Sequence, residues 1–257
     1  MKRFALVMFF CLVIASVSTQ EQKGDLWILA VGIDAYPNNQ SYLSLSFSVS
    51  DAKKIRDVFM GQEGKAFNNV HTLLIADTEA IKPTGSNILS NMSFFRKSQP
   101  NDTVILYFSL HSVLGKNSAF YLMPSDVRFD TNGKPVPATM VSFNDIVQSF
   151  NAPGKKIIVL DTHYSETAIR LAAGKNIAVF GACRDNEQAY ESPFYGGGFF
   201  TLSIVGAFEE GIVTDGKVTL RWLLIPVIGR VKRISLNKQT PILYIPDEMG
   251  DVVLGSS

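Results

Sequence analysis

Four stretches of this chain are apolar almost without interruption: Leu26–Gly32 (LWILAVG), residues 102–110 (DTVILYFSL), 157–160 (IIVL) and 177–183 (IAVFGAC). A strand with one wet face alternates apolar and polar residues. Runs like these leave neither face for water, which suits a sheet covered by helices on both sides. Between them lie segments with helical spacing, such as 51–60, where Ala52, Ile55, Val58 and Phe59 share a face and Ser50 is the expected N-cap. Strand and helix in alternation predict an α/β fold, a three-layer sandwich with a mostly parallel central sheet flanked by helices on both faces. Further helices are expected over 86–96, 142–150 (capped by Ser142), 166–173, 199–209 and 219–234, the last interrupted by Pro226 and Gly229. A strand over 70–75 and a final one opened by Gln239-Thr240-Pro241 complete the sheet.

The polar residues that end two of these runs carry the functional signal. The 102–110 run is followed by His111 and Ser112, and the 157–160 run by Asp161, Thr162 and His163. In open α/β sheets, ligands and chemistry sit at the carboxyl ends of the strands. Two of the three histidines stand there. The third, His71, falls near the start of a strand, at the wrong end for the site, and is expected to be an ordinary surface or edge histidine.

Residues 1–20 read as an export signal. Lys2 and Arg3 precede a run of about twelve apolar residues and a small-residue stretch at 16–18, and about twelve residues at 1.5 Å each do not cross roughly 30 Å of hydrocarbon. Cys11 lies inside that run rather than after it, which argues against a lipoprotein anchor. The expectation is a single exported domain over 21–257, periplasmic or extracellular, with no stable membrane insertion after cleavage. Removing Lys2 and Arg3 takes the formal net charge from +1 to −1, so nothing points to nucleic acid as a partner. Cys183 is then the only cysteine, and no intramolecular disulfide forms. The basic residues Arg221, Arg230, Lys232 and Arg233 lie mixed among apolar ones and read as a solvated helix face.

Several motifs, in order, resemble the caspase-like cysteine peptidases (caspases, metacaspases and their bacterial relatives). Gly32-Ile33-Asp34-Ala35-Tyr36-Pro37 follows the first strand, and Asp51-Ala52 opens the first helix. FSLHS at 108–112 is similar to the family's Ser-Gly-His-Gly, and LDTHYSE at 160–166 to its Asp-x-Cys-x-Ser-Gly. Tyr121-Leu122-Met123-Pro124-Ser125-Asp126, Gly198-Phe199-Phe200-Thr201 and Gln239-Thr240-Pro241 also fit, so the resemblance spans roughly 26–246. Asp161 and Ser165 match the second motif, while the nucleophile position holds His163 and the closing glycine is Glu166. Ser112 stands where the family has a glycine whose backbone N–H faces the site, and a residue with a side chain resists positive φ.

The resemblance implies that His111 is the retained general base, that Cys183 takes the place of an auxiliary cysteine, and that Asp185 and Glu191 fit the spacing of acidic residues after it. In metacaspase-like relatives, acids at the positions of Asp161 and Glu191 line a pocket for a basic side chain; Asp161 could equally serve only to accept backbone N–H groups. A cysteine peptidase needs a thiolate, a base and oxyanion donors, and loss of one member of such a unit typically costs on the order of 10⁴–10⁶ in rate. The expected protein is therefore a pseudopeptidase that binds a peptide or protein segment and needs no cofactor. Two other readings stay open. One is an active cysteine endopeptidase working through Cys183. The other is a metal-dependent hydrolase using His111 and His163 with Asp161 or Glu166.

Overall fold

In a computed structural model, the described residues are 23–38, 44–211 and 216–256. The expected export signal lies outside them. Six strands form the central sheet: β1 (Leu26–Gly32), β2 (Val70–Ala76), β3 (Thr103–Ser109), β4 (Lys155–Asp161), β5 (Ile177–Gly181) and β6 (Ile242–Tyr244). Their order across the sheet is β6-β5-β4-β3-β1-β2. All neighbours are parallel except β6, which runs antiparallel along β5 at the edge. The sheet is thus mixed, with five parallel strands.

Strand alternation divides the core into two halves. From β1, Leu26, Ile28 and Ala30 point to one side while Trp27, Leu29 and Val31 point to the other, and every residue of the strand is buried. The first side is covered by α1 (Ser48–Met60), which contributes Ala52, Ile55 and Phe59, and by two later helices packed on each other. The opposite side is covered by α2 (Gly85–Ser90) and the 3₁₀ turns of Asn91–Lys97, then by α3 (Phe143–Ser149) and α4 (Ser165–Ala172). The later helices on the first side are α5 (Phe199–Glu209) and α6 (Leu220–Ile234), which add Phe200, Ile204, Leu223, Val227 and Val231. Helices on both faces explain why the strand sequences carry no polar alternation.

Local departures from the expected elements have physical causes. Helix α1 starts at Ser48 rather than Asp51, and the Ser50 hydroxyl donates back to the carbonyl of Phe47 instead of capping. The expected single helix over 86–96 is split. Thr84 caps its start by accepting from the N–H of Asn87, and its second half tightens into 3₁₀ turns. Ser142 caps α3 as expected, accepting from the Asp145 N–H. Pro226 and Gly229 do not interrupt α6, which runs unbroken to Ile234 behind the Thr219 cap. Proline removes one backbone donor, and here the helix absorbs that loss. Strand β5 stops at Gly181, two residues short of Cys183. His71, near the start of β2, stacks on Trp27 at 3.9 Å and bonds Asp25 Oδ2 at 3.0 Å, at the sheet end opposite the strand tips. No helix among the described residues is long and apolar enough to cross a membrane.

Candidate functional site

Strands β3 and β4 are neighbours, with Ser109 directly opposite Asp161. His111 and His163 each lie two residues past that pair, so both histidines leave the sheet at the same place. Together with Leu45, Ser48, Asp51, Ser109, Leu110, Asp161, Thr162, Ala189, Tyr190, Glu191 and Gly198 they line an open cleft of about 40 Å³. Such a volume holds about one or two waters.

The floor of the cleft is acidic. Asp161 is 7% exposed and its Oδ2 accepts both the backbone N–H of Thr201, at 3.2 Å, and the Thr201 hydroxyl, at 2.6 Å. Having given its proton to the carboxylate, the Thr201 oxygen accepts from the buried Tyr107 hydroxyl at 2.6 Å. Burial pushes the Asp161 carboxyl up to about 7, the nearby Asp51 charge adding to the effect and the Thr201 donors opposing it. Asp51, on α1, is 1% exposed and takes the Gly198 N–H at 2.7 Å and the Lys54 ammonium at 2.9 Å. Burial still pushes its carboxyl up to about 6. Glu191 Oε1 accepts the N–H of Ser46 at 2.9 Å, and its charge raises Asp161, Asp51 and Asp34 alike.

Two glycines permit this crowding. A Cβ on Gly198 would stand 2.6 Å from Asp161 Oδ2 and 2.9 Å from Asp51 Oδ2, so only glycine lets the chain pass between the two carboxylates. A Cβ on Gly32 would meet the Ser48 carbonyl at 2.4 Å, so glycine also lets α1 start against the tip of β1. The short strands Glu191–Ser192 and Gly197–Gly198 form a hairpin, and Lys54 fastens it by donating to the Gly196 carbonyl at 2.7 Å.

The histidines differ in their supports. The backbone N–H of Ala189 donates to His163 Nδ1 at 3.0 Å. That nitrogen therefore carries no proton, and the ring hydrogen sits on Nε2. Burial, and then the proximity of His111, lowers the pKa of His163 and keeps the ring neutral. His111 is held through its backbone N–H, which donates to the Tyr36 hydroxyl at 2.9 Å, and the Tyr36 ring lies 5.3 Å from the imidazole.

Three residues expected at the site lie away from the cleft lining. Ser112 sits in a short strand with negative φ, where its hydroxyl donates to the His163 carbonyl at 2.9 Å and accepts from Thr162 Oγ1 at 2.8 Å. It ties the two strand tips together. Asp185 caps α4 from outside, accepting the Thr167 N–H and hydroxyl, each at 2.9 Å, and pairing with Arg170 at 2.5 Å. Tyr164, at the helix start with φ 57°, supplies no side-chain cap, and Asp185 makes up for it. Cys183 is fully buried under Thr162, Ser165 and Glu187, and burial pushes its thiol up to about 12. No cysteine lines the cleft, and among the described residues no group of three or more His, Cys, Asp or Glu side chains is placed to hold a metal ion.

Sequence reasoning missed Asp51, Thr201, Gly198, Ser48 and Tyr190 as site residues. Asp51 and the Gly198-Thr201 stretch were legible as helix entries, but nothing in the sequence marks that two helix entries 147 residues apart converge on one carboxylate floor.

No family model matches the chain, and no curated protein matches it. Among solved structures it is similar to the crystal structure of protein GSU0716 from Geobacter sulfurreducens, a structural-genomics target. The TM-score is 0.64 at 13% sequence identity, covering 87% of this chain and 95% of that one. A likeness at that identity concerns the fold alone.

Proposed function

We propose that this chain is an exported caspase-like pseudopeptidase whose cleft receives a basic side chain of a peptide or protein segment without cutting it. The observation that carries this reading is the convergence of Asp51, Asp161 and Glu191 beside His111 and His163. Burial together with the neighbouring carboxylate charges raises the Asp161 and Asp51 carboxyls, and of the three carboxylates Lys54 pairs with Asp51. A guanidinium or ammonium entering from a ligand would relieve that repulsion, which favours a cationic ligand over a neutral one. The caspase-like motifs, in the same order along the chain, give the reading its family.

Hydrolysis by the family's mechanism has no support in the geometry. Position 163 offers an N–H donor where a thiolate would be required, because Ala189 occupies the other ring nitrogen. Cys183, with its thiol at about 12, has almost no thiolate at neutral pH and lies outside the cleft.

The test is a peptide library rich in Arg and Lys, offered to the mature wild-type chain, His163→Cys and Cys183→Ala. The expected result is binding without cleavage by the wild type, unchanged in Cys183→Ala, with cleavage gained in His163→Cys. Cleavage by the wild type that disappears in Cys183→Ala would overturn the reading. So would failure of the wild type to prefer basic over acidic peptides.

A further inference from the structure

Helix α6 covers one side of the core with Leu220, Leu223, Val227 and Val231, yet its outer side also carries large apolar residues among its charges. Trp222 is 51% exposed and Ile225 62% exposed, and Leu236, just past the helix end, is 77% exposed. At about 100° per residue, Trp222, Ile225, Gly229 and Arg233 fall within an arc of about 80° on the solvent side. Gly229 sits in the middle of that line with open space where a Cβ would be, so the backbone there is accessible. Leu236 is also held at φ 55°, a conformation a leucine rarely adopts, while its side chain points to water.

The charges around this line have one sign. Arg221, Arg233 and Lys238 are exposed, Lys232 is half-buried, and residues 220–238 include no Asp or Glu. Two acids near the helix are already engaged. Asp251 accepts the Thr219 hydroxyl and the Arg221 backbone N–H at the helix start, and Glu210 pairs with Arg230, which packs inward over Gly206. A tryptophan and aliphatic side chains on the outer line, flanked by arginines and lysines that form no ion pair among the described residues, are what an interfacial helix presents to a membrane surface. The opposite arrangement, with the apolar residues only inward, would be expected of an ordinary surface helix.

We propose that the outer face of α6 docks this protein on an anionic phospholipid surface, with Trp222, Ile225 and Leu236 entering the headgroup boundary and Arg221, Arg233 and Lys238 meeting the lipid charge. Docking is peripheral and reversible. It leaves the acidic cleft, built at the carboxyl ends of the strands, independent of the contact.

Trp222 is its own reporter, since the other tryptophan, Trp27, is buried under His71 and Phe94. The mature chain is mixed with vesicles of phosphatidylcholine containing a quarter phosphatidylglycerol, or of phosphatidylcholine alone, and followed by sedimentation and tryptophan emission. Anionic vesicles are expected to sediment the protein and shift its emission to the blue, and neutral vesicles and high salt to do neither. The double variants Arg221→Glu/Arg233→Glu and Trp222→Ser/Ile225→Ser should each lose at least about tenfold in vesicle partition with an unchanged circular dichroism spectrum. Equal partition of the wild type and both variants would overturn the proposal, as would no partition at all. A blue shift that grows with protein concentration in the absence of lipid would overturn it in favour of self-association through this face.

Discussion

Thr201, at the start of α5, gives both of its donors to a single oxygen of Asp161 on the neighbouring strand tip. The bond pair joins the helix layer to the sheet at the floor of the cleft, and Tyr107 extends it into the core. Replacing the hydroxyl with a methyl of the same shape removes the stronger of the two donors and leaves the buried Tyr107 hydroxyl without its acceptor. Thr201→Val is expected to destabilise the fold by about 1–3 kcal/mol in urea unfolding, and to raise the Asp161 pKa further.

The direction of the Asp161 shift fixes a pH dependence. The carboxyl titrates near 7 in the folded chain against 3.8 ordinarily. Below about pH 4 both folded and unfolded chains hold the proton. Between there and pH 7 the unfolded chain ionises first, so this group's contribution to stability falls as pH rises, and it levels off above 7. Asp51, at about 6, acts in the same direction within that window. Asp161→Asn is expected to raise Tm by several degrees at about pH 8 and by almost nothing at about pH 3.5, as measured by differential scanning calorimetry.

Binding of the proposed basic ligand is expected to depend on pH with the opposite sign. A cation prefers the ionised carboxylates, so lowering the pH from about 8 to about 5.5 is expected to weaken binding of an arginine peptide by about tenfold or more in isothermal titration. In Asp161→Asn that dependence should shrink to the part carried by Asp51, with a loss of affinity at about pH 8.

Gly198 passes between two carboxylate oxygens with no room for a methyl. Gly198→Ala is expected to cost more than about 2 kcal/mol and to broaden the unfolding transition little, since the strain is local. By contrast Gly229→Ala on the outer line of α6, where nothing stands within 4 Å, should stabilise the helix by about 0.5–1 kcal/mol.

Cys183 supplies a clean negative test. With the thiol fully buried and raised to about 12, the native chain is expected to react with a disulfide reagent at pH 8 only as fast as it unfolds, and stoichiometrically in denaturant. Rapid labelling of the native protein would place the thiol in reach of solvent and return it to the list of nucleophiles.

The sheet was legible because its strands are apolar on both faces. Leu26–Gly32 appears in the structure with the bounds the sequence suggests, and Val70–Ala76 with one residue more. Helix ends were less legible. The start of α1 is set by close contact of Ser48 with Gly32, and the end of α2 by a tightening that no residue announces. Of the site, His111, Asp161 and His163 could be found because they follow strands, and Glu191 only through the resemblance to the caspase-like motifs. Ser112 and Asp185 also had suitable positions, yet their side chains complete local hydrogen-bond networks that the spacing does not encode. Asp51 lines the cleft and the buried Thr201 holds Asp161 from behind it because α1 and α5 pack together over the sheet, a tertiary fact with no one-dimensional signature.

Lys54 meets both Asp51 and the Gly196 carbonyl, so one ammonium is at once the tether of the Glu191–Gly198 hairpin and the counterion of a buried carboxylate. The two tasks cannot be separated: a substitution that removes the ammonium unties the hairpin from α1 and also takes away the charge that holds the Asp51 carboxyl down against its burial. The shape of the cleft wall and the charge of its floor therefore change together.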